Sequence, residues 1–121
     1  MKERCLIEMR CLKIDDKWVN LILCGKKTWE IRRTNTRIRE RIALGNKKTE
    51  CYVGYASIVN SAEMTVKKLL QHNDKHQANN FIEQYAKGRK TLFAWVLKNV
   101  EGEPNPKHYS HSTGSWCKTQ E

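Results

Sequence analysis

Gly25-Lys26-Lys27-Thr28-Trp29-Glu30-Ile31-Arg32-Arg33 decides how the rest of this 121-residue chain is read. The glycine stands where a short helix would stop, in the left-handed conformation that other side chains resist. From Lys27 to Arg33 the residues alternate as a strand does. Trp29 and Ile31 fall on one face, and Thr28, Glu30 and Arg32 on the other. The stretch also opens a concentration of charge. Residues 26–48 hold nine Lys or Arg against two Glu, so +7 of the total +10 falls there.

Working outward, residues 5–14 alternate loosely and predict a first strand. Asp15 or Asp16 caps a helix in which Trp18, Leu21 and Ile22 share a face. Beyond Arg33, Thr34-Asn35-Thr36 is turn-like. Arg37–Leu44 then alternates again, with Arg37, Arg39 and Arg41 on one side and Ile38 and Ile42 on the other. Gly45–Lys48 predicts a hairpin tip, and Cys51–Val59 a third strand, apolar on both faces and hence inner. Thr65 caps a helix over 66–72, with Val66, Leu69 and Leu70 on its core side. A second helix over 75–87 carries Ala78, Phe81, Ile82, Tyr85 and Ala86 on one stripe, with Gly88 as its stop. Thr91–Val100 is the strongest strand signal. Pro104 and Pro106 predict an irregular tail until Ser115–Lys118. The natural packing is α+β: a mostly antiparallel sheet with two or three flanking helices, able to curl into a small β-barrel.

Length and composition fit one domain over residues 1–121, with its core at about 10–118. No apolar run approaches the roughly 18 residues a membrane span needs, and no segment has an interfacial helix pattern. Cys5, Cys11, Cys24, Cys51 and Cys117 are odd in number, spread out and without a C-x-x-C pair. That favours free thiols in a reducing, cytoplasmic setting over a disulfide framework. The charge points to a polyanion, nucleic acid before membrane. A metal centre from His108, His111 and Cys117 lacks both a common spacing and a fourth ligand. Asn73-Asp74 is expected to break the helix between His72 and His76. No metal or other cofactor is expected.

Gly25-x-Lys27-x-x-Glu30-x-Arg32 is similar to the G-x-K-x-x-E-x-R signature of the ASCH domain, a branch of the PUA-like superfamily. Four more segments resemble that family in order. They are Arg39–Leu44, Val53–Ala56, Phe93–Leu97, and a closing segment with Pro106–His111 and Gly114-Ser115-Trp116. The resemblance implies a PUA-like β-barrel with flanking helices, a cleft lined by the signature residues, and RNA as the usual partner. Single-stranded DNA is the alternative polyanion. Some small members are hydrolases that deacetylate N4-acetylcytidine or cleave RNA. In the deacetylating group a lysine at the Lys27 position works with a threonine three residues later and a downstream glutamate. This chain has Glu30 in place of that threonine, and Glu63 or Glu83 as the candidates for the glutamate.

The principal expectation is an RNA-binding module that takes a modified or single-stranded base in a cleft of Lys27, Glu30 and Arg32. Arg32 would bind a phosphate or base edge while Glu30 orients it or accepts a base amino proton. Arg37, Arg39 and Arg41 would track the backbone, with Lys47 and Lys48 at the hairpin tip. Trp116 and Tyr109 would stack bases, beside His111 in the closing segment. Trp18, Trp29 and Trp95 are expected in the core. The alternative is a metal-independent hydrolase of RNA or a modified nucleoside. There Lys27 is the activating amine, Glu30 the general base and Arg32 the stabiliser of developing charge. A protein-interaction domain, as in coactivator-associated modules, fits the clustered charge least. Lys27 and Glu30 differ in strand parity, so both reach one cleft only if Lys27 lies in the turn before the strand becomes regular.

Overall fold

Among the described residues, alternation and helix stops translate into ten elements. The structure, a computed structural model, describes residues 8–119. In chain order these are β1 (Arg10–Ile14), α1 (Asp16–Leu23), β2 (Trp29–Arg32), β3 (Arg41–Asn46), β4 (Cys51–Thr65), α2 (Val66–Leu69), α3 (Asn73–His76), α4 (Asn79–Ala86), β5 (Thr91–His108) and β6 (Trp116–Lys118). The first three residues of the expected strand over 5–14, Cys5 included, lie outside the described residues. The strands form one six-stranded sheet in the order β2-β5-β4-β3-β1-β6, antiparallel except for β1 against β3. The third predicted strand is inner, as its two apolar faces required.

Among the described residues, two apolar clusters hold the sheet to its helices and a third packs among the strands. Val19 and Ile22 of α1 pack onto Leu12, Ile14, Ile42, Leu44, Ile58 and Trp95. Leu69, Ala78, Ile82 and Ala86 bring α2 and α4 onto Ile31, Leu92 and Ala94. Cys11, Ala43, Tyr52, Tyr109 and Cys117 fill the third. Trp18 is half-buried and touches both of the first two clusters, so the core side of α1 is Val19 and Ile22 rather than the expected Trp18 face. Trp95 is buried as expected, and Trp29 packs half-buried against the second cluster. Gly54 lets α1 approach the sheet: a Cβ there would sit 2.5 Å from Leu23 Cδ2 and 2.7 Å from the Glu101 carbonyl oxygen. Thr65 caps α2 as predicted, its hydroxyl accepting from Lys68 N–H.

Four expectations are corrected. Arg37–Leu44 is not a strand throughout; only from Arg41 does it pair. Upstream, Asn35 Oδ1 accepts from Thr36 N–H, Thr36 Oγ1 from Ile38 N–H, and Arg39 donates to the Thr36 and Ile38 carbonyls. These local bonds offer the backbone an alternative to a ladder. The helix over 75–87 is broken at Gln77, left-handed at φ 59°, and Asn73-Asp74 is a helical turn rather than a break. β5 runs through Pro104 and Pro106. Both prolines fall between the Gly54–Gly102 and Tyr52–Lys107 pairs, where the register with β4 shifts and residues 103–106 take no partner. On the other side β2 does not reach beyond Val96, so neither proline costs a ladder bond.

The fourth correction concerns the barrel. The sheet stays open: β2 and β6 are its two edges, and no ladder joins them. With four and three residues, these edges are too short to close a ring. Side chains bridge the seam instead. Arg32 donates from Nη2 to the Lys13 carbonyl at 3.0 Å, and Trp116 stacks on Trp95 with centroids 5.9 Å apart.

Candidate functional site

The open seam contains a cavity of about 260 Å³, walled by β1 and the residue before β6 on one side, β2 on the other, and α4 across the end. Its first determinant is the helix stop. Gly25 is left-handed at φ 87°, and the N–H groups of Lys26 and Lys27 both donate to the Leu21 carbonyl at 3.0 Å. The chain therefore leaves α1 in a tight turn, and β2 begins only at Trp29. Lys27 lies before strand parity applies, which is the condition for it to share a cleft with Glu30.

Lys27 is 2% exposed, a depth at which a lysine needs partners. Its Nζ donates to the His76 carbonyl at 2.7 Å, lies 3.7 Å from Glu30 Oε1, and sits 5.0 Å from the Trp18 ring centre. Burial pushes the ammonium below its ordinary range; Glu30 opposes that and Arg32 adds to it. Glu30 is buried between two cations. Its Oε2 takes both Nε and Nη2 of Arg32, at 3.0 and 2.8 Å. The Arg32 guanidinium also lies 5.6 Å from the Trp95 ring centre. Lys27, Glu30 and Arg32 form one +, −, + chain at the cavity wall.

His76 was not a site candidate in the sequence, yet it anchors this chain. It is fully buried, with Nε2 donating to the Leu69 carbonyl at 2.6 Å and Nδ1 accepting from Ala78 N–H at 2.9 Å. An accepting Nδ1 requires the neutral ring. Burial lowers its pKa, and Lys27 adds to that. The ring ties α2 to the start of α4 and so fixes the carbonyl that Lys27 uses. Nothing in sequence distinguishes a histidine whose two ring nitrogens both serve backbone partners from one on the surface.

Around the chain the lining is Lys13, Lys47, Arg33 and Asp15 with Trp18, Phe81 and Tyr85. Five cationic side chains thus face two carboxylates, Asp15 and Glu30. Arg33 donates from Nε to the Tyr85 carbonyl at 2.8 Å and lies 4.2 Å from its ring centre. Lys47 pairs with Asp15 at 3.4 Å.

Other expected residues lie elsewhere. Arg37 and Arg39 are exposed in the loop before β3. Arg41 is engaged by Glu101 and by the Asn99 carbonyl at 2.8 Å, so the three arginines share no strand face. Tyr109 is 5% exposed and packs in the third cluster, where its ring has no face for a base. Trp116 is half-buried with one side against Trp95. His111 is exposed, 3.4 Å from Glu50. Glu63 accepts from the Thr91 hydroxyl, Glu83 lies on the exposed side of α4, and neither lines the cavity. Cys117 is buried, its thiol donating to the Cys11 carbonyl, apart from His108 beside Cys51.

A family model described as the ASCH domain matches residues 12–107. Among solved structures, ASCH from Zymomonas mobilis superposes with a TM-score of 0.72 at 18% identity, over 82% of this chain and 72% of that one. A tyrosine-to-phenylalanine variant of ZmASCH from the same organism gives 0.71 at 18% identity, over 82% and 74%. A serine-to-alanine variant gives 0.68 at 20% identity, over 82% and 72%. At these identities the likeness is one of fold. No curated protein matches the chain.

Proposed function

We propose, from the premise that the chain belongs to the ASCH domain family, that it binds RNA and takes one unpaired or modified base in the cleft of Lys27, Glu30 and Arg32. One observation carries this reading: five cations and three aromatic rings around a cavity sized for a single base, with a carboxylate and a guanidinium side by side in its wall. Glu30 Oε2 is engaged by Arg32, whereas Oε1 has Lys27 at 3.7 Å, beyond hydrogen-bond length, and remains able to accept. An acceptor beside a guanidinium is the pairing that reads the polar edge of a base. Lys13, Lys47 and Arg33 at the rim would hold phosphates. Unpaired cysteines at 11, 24, 51 and 117 fit a reducing cytoplasm. No described helix is long and apolar enough to cross a membrane.

The test is an anisotropy titration with single-stranded RNA, single-stranded DNA and duplex RNA across salt concentrations. Single-stranded RNA is expected to bind best, with log K falling as log salt rises. Salt-insensitive or absent RNA binding would sink the reading.

A metal-independent hydrolase acting on RNA or a modified nucleoside is favoured by one observation of its own. Burial lowers the pKa of Lys27, the amine of that alternative, with Glu30 3.7 Å away as its base. The deacetylase hydroxyl is replaced by Glu30, so a hydrolase here would rely on Glu30 as its base. Incubation with cellular RNA and N4-acetylcytidine, read by mass spectrometry, separates the two. Turnover lost in Lys27→Ala and Glu30→Gln marks the enzyme, and binding loss without turnover marks the module.

A further inference from the structure

α4 turns two kinds of side chain in two directions. Ile82 and Ala86 enter the core, while Phe81 and Tyr85, one turn apart, line the cavity rim. Phe81 is 43% exposed. A single exposed phenylalanine is ordinary on a protein surface, but the surroundings of this one are specific. Its ring meets Trp18 edge-on, with centroids 5.7 Å apart and planes at 85°, a contact that cannot cover both faces. The exposed Lys17 holds its ammonium 4.7 Å from the Trp18 ring centre and 5.9 Å from that of Phe81. The lip of a base-sized cavity therefore carries an exposed aromatic ring with a cation 5.9 Å over its centre. That combination binds single-stranded nucleic acid: the ring takes a base of any sequence, and the cation takes the adjoining phosphate.

We infer that Phe81 is a stacking platform for a second base and Lys17 a contact to the phosphate joining it to the first, so that the ligand is a single-stranded oligonucleotide rather than a free nucleoside. The inference rests on the cleft reading above and deepens it. Tyr85 contributes differently: Arg33 covers its ring at 4.2 Å, leaving Phe81 as the open aromatic of the pair.

Calorimetry with the four ribonucleoside 5′-monophosphates, the corresponding 5′-phosphorylated dinucleotides, and dinucleotides abasic at the second position tests it. The dinucleotides should bind about tenfold tighter than the monophosphates, and the abasic ones should lose most of that gain. Phe81→Ala should weaken the dinucleotides about tenfold more than the monophosphates, and Phe81→Trp should retain the gain from the second base. Lys17→Ala should flatten the salt dependence of dinucleotide binding only. Monophosphates that bind as tightly as dinucleotides would overturn the platform and leave the cleft reading standing. So would equal weakening of both by Phe81→Ala, or a change of oligomeric state in that variant. Absence of binding by every nucleotide would overturn both.

Discussion

The ammonium of Lys27 donates to the main-chain carbonyl of His76 at 2.7 Å, joining the turn before β2 to α3. This bond makes the cleft and the fold one object. The charge that would serve function is also a buried structural contact.

That coupling predicts an order of stabilities. Lys27→Met leaves Glu30 paired with Arg32 and should cost about 1–2 kcal/mol of unfolding free energy. Glu30→Gln leaves the buried Lys27 and the part-buried Arg32 without their carboxylate and should cost about 3–5 kcal/mol. Denaturant unfolding of the two variants measures the order, and a Lys27→Met cost larger than that of Glu30→Gln would refute the chain as described.

His76 predicts a pH dependence. Its pKa is lowered from 6.5 in the folded state by burial, so below pH 6.5 the unfolded chain binds a proton that the folded chain refuses. Stability therefore falls as pH drops below 6.5 and levels off only once the folded-state pKa is passed. His76→Asn should be less stable at neutral pH and should lack this part of the slope. Parallel pH profiles of the two proteins would count against the assignment.

Basic side chains close in sequence should not act alike on RNA. Lys47 lines the cavity beside Asp15, whereas Arg41 lies outside it, held by Glu101 and the Asn99 carbonyl. Lys47→Ala should flatten the slope of log K against log salt by about 0.7, the share of one phosphate on a single strand. Arg41→Ala should leave the slope unchanged. Equal effects would restore a continuous stripe from Arg37 to Lys48.

Tyr109 and Trp116 should separate by assay. Tyr109→Ala empties a core position and should cost about 3 kcal/mol of stability. Tyr109→Phe should leave RNA affinity unchanged. Trp116→Ala removes a half-exposed ring stacked on Trp95 and should affect stability less.

Local chemistry was legible in the sequence wherever one residue type answers one local need. Gly25 ends α1 with positive φ, Thr65 caps α2, and Glu30 and Arg32 share one strand. The misreadings share a cause, since each depends on a neighbour distant in sequence. Pro104 and Pro106 are tolerated because the β4–β5 register shifts between Gly102 and Lys107, a fact of strand pairing. Tyr109 sits in a segment of Ser, His and Thr that looks exposed, but Cys11, Ala43 and Tyr52 cover it. Arg37–Arg41 alternates like a strand, yet the side chains of Asn35, Thr36 and Arg39 bond to backbone within the loop. An open seam in place of a closed barrel follows from the shortness of β2 and β6, and that seam is where the cavity lies.

The most direct measurement is a map of backbone amide chemical shifts as a short single-stranded RNA is titrated in. The account predicts saturable shifts centred on Glu30, Arg32 and Arg33, extending to Phe81 and Tyr85 on α4 and to Lys13 on β1. Shifts confined to residues 37–41 or to the closing segment around His111, with the amides of Glu30, Arg32 and Tyr85 unmoved, would contradict it.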